Sequence, residues 1–435
     1  AISNDASTGC ARIPVDDGGT AGKPIDAIQK FVTSRHIVVM ARGLMYYFDV
    51  VWEDGSLAVS EEMLQDNLRI IIADAEANVG NSSRASVAVL SAEKRTTWRH
   101  LRGVLQLDAT NNTSLAVVDS ALFVLCLDAD APESAEAIAC SMLHGTYRLD
   151  GEGLQVGSVV NRWYDKLQII VCANGAAGVN FEHTSVDGHT VLRFVSDVFA
   201  TTIMRFAARI TTGVKPKLAC TERLTKGRTF SNLPPEAPNT TPHNLIWELG
   251  CVELRQAIHF AEVRLSDLVF QNETRALEFD GFGKNVITRL NLSPDGFVQL
   301  GLMAAYYRLF GRIVCVYEPV QTKRFLHGRT EAARTMTGEA ATFVKLFFNE
   351  GSNRTKEKAL RTAARSLTDL VKLAASGLGV DRHLYALKCL WHATAPDGAV
   401  LPSIFADSGW ESLNHTTIST SNCGNPVLRL FGFGP

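Results

Sequence analysis

One histidine is placed for proton transfer. In Phe181-Glu182-His183-Thr184-Ser185-Val186-Asp187-Gly188 the imidazole falls on a short connector, where a strand ends and an apolar helix begins. Histidine exchanges a proton near neutral pH, so a side chain there can take one from a hydroxyl or a thiol and return it. Asp187, four residues on, can orient the ring or hold the turn as a salt bridge, and the spacing leaves both readings open. The segment alone fits a hydrogen-bonded structural histidine equally well. Far along the chain, Ser419-Thr420-Ser421 precedes a last apolar run. A pair of hydroxyls there can donate to a developing oxyanion, although an isolated Ser-Thr-Ser is more often a polar loop.

The elements that must hold these groups alternate between strands and helices. Residues 167–172 predict a strand, Asn174-Gly175 a turn and residues 179–181 the returning strand. Val191, Phe194, Val195, Val198, Phe199, Ile203 and Phe206 then recur at helical spacing. Upstream, residues 34–50 predict two strands around Ala41-Arg42-Gly43. A helix over 61–74, a short strand over 87–90, a helix over 96–104, a helix-to-strand passage over 115–127 and a helix over 133–144 follow. The polar stretch 229–242 carries four of the 14 prolines, which places a domain boundary near 226. Beyond it the pattern predicts a helix over 244–270, then a helix begun by Ser293-Pro294-Asp295, running to 309 and closed by Gly311. A strand over 312–320, helices over 333–348, 356–375 and 382–394, and a short strand over 427–431 complete an α/β chain.

At 435 residues the chain is long for one core, so two domains, 1–225 and 226–435, are expected. An apolar content of 46%, a charged content of 20% and a net charge of −2 describe an ordinary globular protein. There is no basic block to attract nucleic acid or an anionic membrane. The longest apolar run, around 121–127, is the size of a core strand rather than a membrane span. Nine scattered cysteines without a Cys-x-x-Cys pair point to a reducing compartment and away from a disulfide frame or a zinc site. The sequence opens at Ala1 without a methionine and stops at Gly434-Pro435 after a strand-like run, and so reads as a partial chain.

Nine segments in order carry a resemblance. They are Asn161-Arg162-Trp163-Tyr164-Asp165-Lys166, Glu182-His183-x-x-x-Asp187-Gly188, Phe282-Gly283-Lys284, Ser293-Pro294-Asp295, Tyr317-Glu318, Gly328-Arg329-Thr330, Asp381-Arg382-His383-Leu384, Ser419-Thr420-Ser421 and Gly432-Phe433-Gly434-Pro435. Together they resemble the choline/carnitine O-acyltransferases over essentially the whole chain. The resemblance implies two domains like chloramphenicol acetyltransferase, with mixed sheets flanked by helices and an active-site tunnel at their interface. It also implies reversible acyl transfer between coenzyme A and carnitine in a ternary complex, with no permanently bound cofactor and no metal.

By this resemblance His183 is the catalytic base, with Asp187 beside it, Ser421 the oxyanion donor and Ser419 a carnitine contact. Arg382 reads the carboxylate that carnitine has and choline lacks, a match of guanidinium fork to carboxylate; the choline enzymes carry asparagine there. Tyr317 and Thr330 match two further carboxylate contacts. Where carnitine enzymes often follow Tyr-Glu with serine, this chain has Pro319. Lys284 matches the first of two lysines that hold a phosphate of coenzyme A. The second falls at Thr288, next to Arg289, while Asp295 and Asn422 join the coenzyme A contacts. Phe282-Gly283-Lys284 is not a Walker loop. Phe431, where long-chain members usually have glycine, implies a short acyl group; a medium- or long-chain enzyme and an inactive fragment are the alternatives. Alcohol acyltransferases and condensation domains share His-x-x-x-Asp-Gly but lack the later motifs. A monomer in the mitochondrion or the peroxisome is expected, with the cytoplasm left open.

Overall fold

The computed structural model describes residues 9–15, 25–78, 86–149, 151, 155–184, 186–212, 237–349, 351–396, 398–421 and 431–434. The chain packs as two units, Ala1–Ala276 with Asn425–Pro435, and Leu277–Gly424.

In the first unit, β1 (Gly9–Val15) and β2 (Ile25–Phe31) pair antiparallel. β3 (His36–Ala41) and β4 (Leu44–Asp49) form the expected hairpin. Arg42 and Gly43 turn it at φ of 50° and 82°, and two successive left-handed residues give the turn whose twist suits its strands. Next come α1 (Glu61–Ala77), α2 (Arg95–Gln106), α3 (Ala109–Ser120), β5 (Val124–Asp128) and α4 (Ala135–Leu143). β6 (Arg148–Leu149) and β7 (Gln155–Val156) are a short pair. β8 (Gln168–Cys172) and β9 (Ala177–Asn180) form the hairpin that leads to His183, and α5 (Gly188–Thr212) is the helix after it. β10 (His243–Asn244) and α6 (Val252–Gln271) follow. One mixed sheet runs β10-β4-β3-β5-β8-β9, and the strand Phe431–Gly434 lies parallel to β9 at its edge.

The motif 161–166 proves to be framework for this unit. Asn161 donates to Met40 O and Leu127 O at 3.2 and 3.1 Å, tying β3 to β5. Arg162, fully buried, pairs with Asp128 at 2.7 Å. Asp165 accepts from Arg95 at 2.7 Å and from the Trp98 indole at 2.8 Å. Buried charges persist where each has a partner, and removing one partner typically costs about 3–5 kcal/mol.

In this unit two expected elements and the domain boundary differ. Residues 87–90 are not a strand but part of a 3₁₀ turn, Val87–Ala92, with Val87, Ala88, Val89 and Leu90 all buried; periodicity cannot classify a short run buried on every side. The helix expected from 244 starts at Val252. The residues before it are held extended by α3, where Ser114 donates to Ile246 O and Asn111 exchanges two hydrogen bonds with the Glu248 backbone. The division between the units falls at 276/277 rather than near 226, because Leu254, Ile258, Ala261 and Leu265 of α6 join the core of the first unit.

The second unit contains α7 (Lys284–Arg289), α8 (Pro294–Phe310), β11 (Val316–Gln321), β12 (Thr330–Arg334), α9 (Gly338–Phe348), α10 (Asn353–Ala375), α11 (Asp381–Thr394), α12 (Ser403–Ala406), α13 (Ser408–Asn414) and β13 (Ile418–Ser419). The caps of α8 are as read: the Ser293 hydroxyl accepts from Gly296 N, Pro294 opens the first turn, and Gly311 closes the helix at φ 67°. Where one helix was expected over 333–348, Thr330–Arg334 is a strand, and Thr337 caps a separate helix by accepting from Ala340 N. The sheet order is β12-β11-β13, antiparallel then parallel. Val316, Glu318 and Val320 point to the buried side of β11, where Val316 meets Leu300, Met303, Phe343 and Leu367 from α8, α9 and α10. The strand expected over 427–431 lies mostly outside the described residues.

Candidate active site

His183 is held by packing on both sides of its connector. Asn180 at the end of β9 donates to Met142 O and Leu143 O at 3.1 and 2.8 Å. Phe181 and Val186 then bury themselves against Val191 and Val195 of α5. Between these anchors Thr184 N donates to Glu182 at 2.9 Å. The Asp187 carbonyl accepts from Thr190 N at 2.8 Å as α5 begins. The imidazole remains 53% exposed, with Nδ1 at 3.7 Å from Asp187 Oδ1. That separation is ion-pair range and too long for a hydrogen bond. His183 and Asp187 are thus brought together, with the ring about half exposed.

In the second unit the register collects several of the expected substrate contacts. Tyr317 lies between Arg334 of β12 and Ser419 of β13. Cross-strand partners share a face, so Tyr317, Ser419, Arg334 and Thr330 lie on one side of the sheet. The Arg382 guanidinium at the start of α11 reaches the Tyr317 hydroxyl at 3.4 Å. A cation and a phenol side by side can clamp a carboxylate. Thr330 faces Gln321, on the same face but at the far end of the paired stretch.

Ser421 is exposed beyond β13. Thr420, which sequence reasoning passed over, anchors that segment: its backbone N–H and hydroxyl both donate to Tyr317 O, at 2.9 and 2.8 Å, and Gln299 donates to its hydroxyl. Lys284, Thr288 and Arg289 are exposed on α7, with Lys284 and Thr288 one turn apart on one face. Asp295 opens α8. Asn422 lies outside the described residues.

Two further groups were missed. Arg334 pairs with Asp381 at 2.9 Å, donates to the Thr416 hydroxyl at 2.9 Å and lies over the Tyr317 ring at 5.6 Å. Its signal was the strand alternation of residues 330–334, hidden by a helical reading. Glu318 is buried at 6% exposure. Burial first, then the hydrogen bond and charge of Asp295, push its carboxyl up from 4.5 to about 8, so at neutral pH it is the protonated donor that ties β11 to the start of α8.

The folded protein therefore holds a proton that the unfolded chain releases between 4.5 and about 8, and stability falls as pH rises through that window. Glu318→Gln keeps a donor toward Asp295 without an ionisable group. Its melting temperature relative to wild type should climb steadily across the same window. A difference that stays constant with pH would show that Glu318 does not hold the proton.

Among the described residues no group of three or more His, Cys, Asp or Glu could hold a metal ion, and no helix is long and apolar enough to cross a membrane. Cys126, Cys140, Cys172, Cys251, Cys315 and Cys389 are free thiols.

The chain is similar to proteins of known class. It is 41% identical to a putative mitochondrial carnitine O-acetyltransferase of Saccharomyces cerevisiae, an alignment covering 98% of this chain and 64% of that protein. It is 32% identical to the mitochondrial carnitine O-palmitoyltransferase 2 of Xenopus tropicalis, over 92% of this chain and 55% of that one. The Homo sapiens carnitine O-palmitoyltransferase 2 is 31% identical, over 92% of this chain and 56% of that one. The chain thus spans less than two thirds of these relatives. The profile of the Choline/Carnitine o-acyltransferase family matches residues 4–435, and the chain belongs to that family.

Proposed function

We propose that this protein transfers a short acyl group reversibly between coenzyme A and the hydroxyl of carnitine. The observation that carries the reading is Arg382 beside the Tyr317 hydroxyl, a carboxylate clamp that a choline-specific enzyme has no use for. His183 removes the proton from the carnitine hydroxyl as the oxygen attacks the thioester carbonyl. The tetrahedral oxyanion accepts a hydrogen bond from Ser421. The C–S bond then breaks and the imidazolium returns its proton to the thiolate. Asp187, within ion-pair range, faces the ring, and no acyl-enzyme forms. Ser419 and Thr330 extend the carnitine subsite. Lys284, Thr288, Arg289, Asp295 and Asn422 take coenzyme A, a co-substrate rather than a resident cofactor. On this reading each unit is a chloramphenicol-acetyltransferase-like domain, and the protein works in the mitochondrion, as the names of its relatives suggest.

The acyl group is the finer question. Backbone register sets Phe431 beside Ala177 and Gly432 beside Gly178, on the strand next to the one that runs to His183. By the family resemblance, phenylalanine here in place of glycine removes acyl-pocket volume that a close-packed wall cannot yield back without strain. The full-length protein should therefore use acetyl-CoA at least about tenfold better than octanoyl-CoA in kcat/KM, and Phe431→Gly should narrow that gap about tenfold. The palmitoyltransferase relatives and the adjacent Gly432 support the long-chain alternative. Wild-type preference for palmitoyl-CoA would establish it, and no turnover of carnitine with any acyl-CoA would overturn the function itself.

A further inference from the structure

Arg382 sits on a helix whose own start is poorly capped. Val380, the residue before α11, provides no side-chain hydrogen bond to the first turn, and the leading N–H groups of a helix need acceptors. The acceptor comes from another element. Glu331 on β12, 8% exposed, takes a hydrogen bond from the backbone N–H of Arg382 at 3.0 Å and another from Ala332 N at 2.8 Å. A carboxylate there also faces the positive end of the helix.

The approach is possible because residue 379 is glycine. A Cβ added to Gly379 would lie 2.3 Å from Glu331 Cγ and 2.7 Å from its Cδ. Three residues along β12, and on the opposite face of the strand, Arg334 holds Asp381 at 2.9 Å. The first two residues of α11 are therefore gripped by one strand from its two faces. A long arginine stem reaches many positions, so where its guanidinium meets the Tyr317 hydroxyl is set by where its backbone is pinned.

We propose that Glu331 is the positioning residue for Arg382, with Gly379 as the space that admits it. Specificity for a carboxylate-bearing acceptor then depends on a buried acid that never touches substrate. This rests on the reading of Arg382 as the carboxylate contact.

The test uses the full-length protein and steady-state kinetics with carnitine, choline and acetyl-CoA. Glu331→Ala should raise the KM for carnitine about tenfold, the loss expected for one hydrogen bond to a charged group. The KM for acetyl-CoA, kcat and the weak use of choline should stay within about twofold. Glu331→Gln, whose amide oxygen still accepts, should recover most of the loss, and Gly379→Ala should reproduce it with Glu331 present. Gly379→Ala and Glu331→Gln decide the matter if Glu331→Ala does not fold. An unchanged carnitine KM in Glu331→Ala or Gly379→Ala, or equal rises for both substrates, would overturn the proposal. Arg382→Ala in the same assay separates the two levels. If it raises the carnitine KM and the Glu331 and Gly379 variants do not, only the positioning role fails. If it does not, the carboxylate reading fails and takes this inference with it.

Discussion

His183→Ala in the full-length protein should lower kcat/KM for acyl transfer by about two to four orders of magnitude, the usual contribution of a positioned general base. The melting temperature should hardly move. The ring is 53% exposed, whereas the connector is anchored by Phe181 and Val186 against Val191 and Val195, all of which the substitution leaves in place. The loss should appear in kcat, since the base acts in the transition state rather than in ground-state binding. Retention of more than about a tenth of wild-type kcat/KM would exclude His183 as the base, because general-base contributions are rarely that small.

Arg382→Asn should act on a different parameter. The KM for carnitine should rise about ten- to a hundredfold, as expected for a charge-assisted contact worth about 1.5–3 kcal/mol. The KM for acyl-CoA should change little, and the ratio of choline to carnitine use should increase. Asparagine cannot reach the Tyr317 hydroxyl as the guanidinium does at 3.4 Å, and it brings no charge to repel the choline cation or to hold a carboxylate. Equal changes in both KM values would assign Arg382 to folding instead of recognition.

The surroundings of His183 were legible in sequence because every signal there is local. The turn at Asn174-Gly175, the strand period of β8 and β9 and the helical spacing of Val191 and Val195 each need only their own neighbours. The caps of α8 were legible for the same reason. What could not be read depends on distant partners. Residues 333–334 look helical until β11 pairs with β12, after which Arg334 faces Tyr317. Residues 245–250 continue a helical pattern until Asn111 and Ser114 of α3 take their backbone groups. Of the candidate site, the local pattern offered His183, and the family resemblance added Tyr317 and Arg382. The residues that set their positions, Glu331, Arg334 and Thr420, act through backbone groups or through ring faces, which leave no spacing to recognise.

The strand Phe431–Gly434 has a consequence for the order in which the molecule is made. It pairs with β9 in the sheet of the first unit, yet the ribosome reaches it only after the whole of Leu277–Gly424. Until then β9 is a bare edge, its N–H and C=O groups open to pairing with another chain. The second unit is thus an insertion that delays closure of the first, and a nascent chain carries its exposed edge throughout that interval, the circumstance in which intermediates are captured by chaperones or lost to aggregation. The strand that ends next to the proposed catalytic base thus waits for this neighbour long after its other partner, β8, is in place.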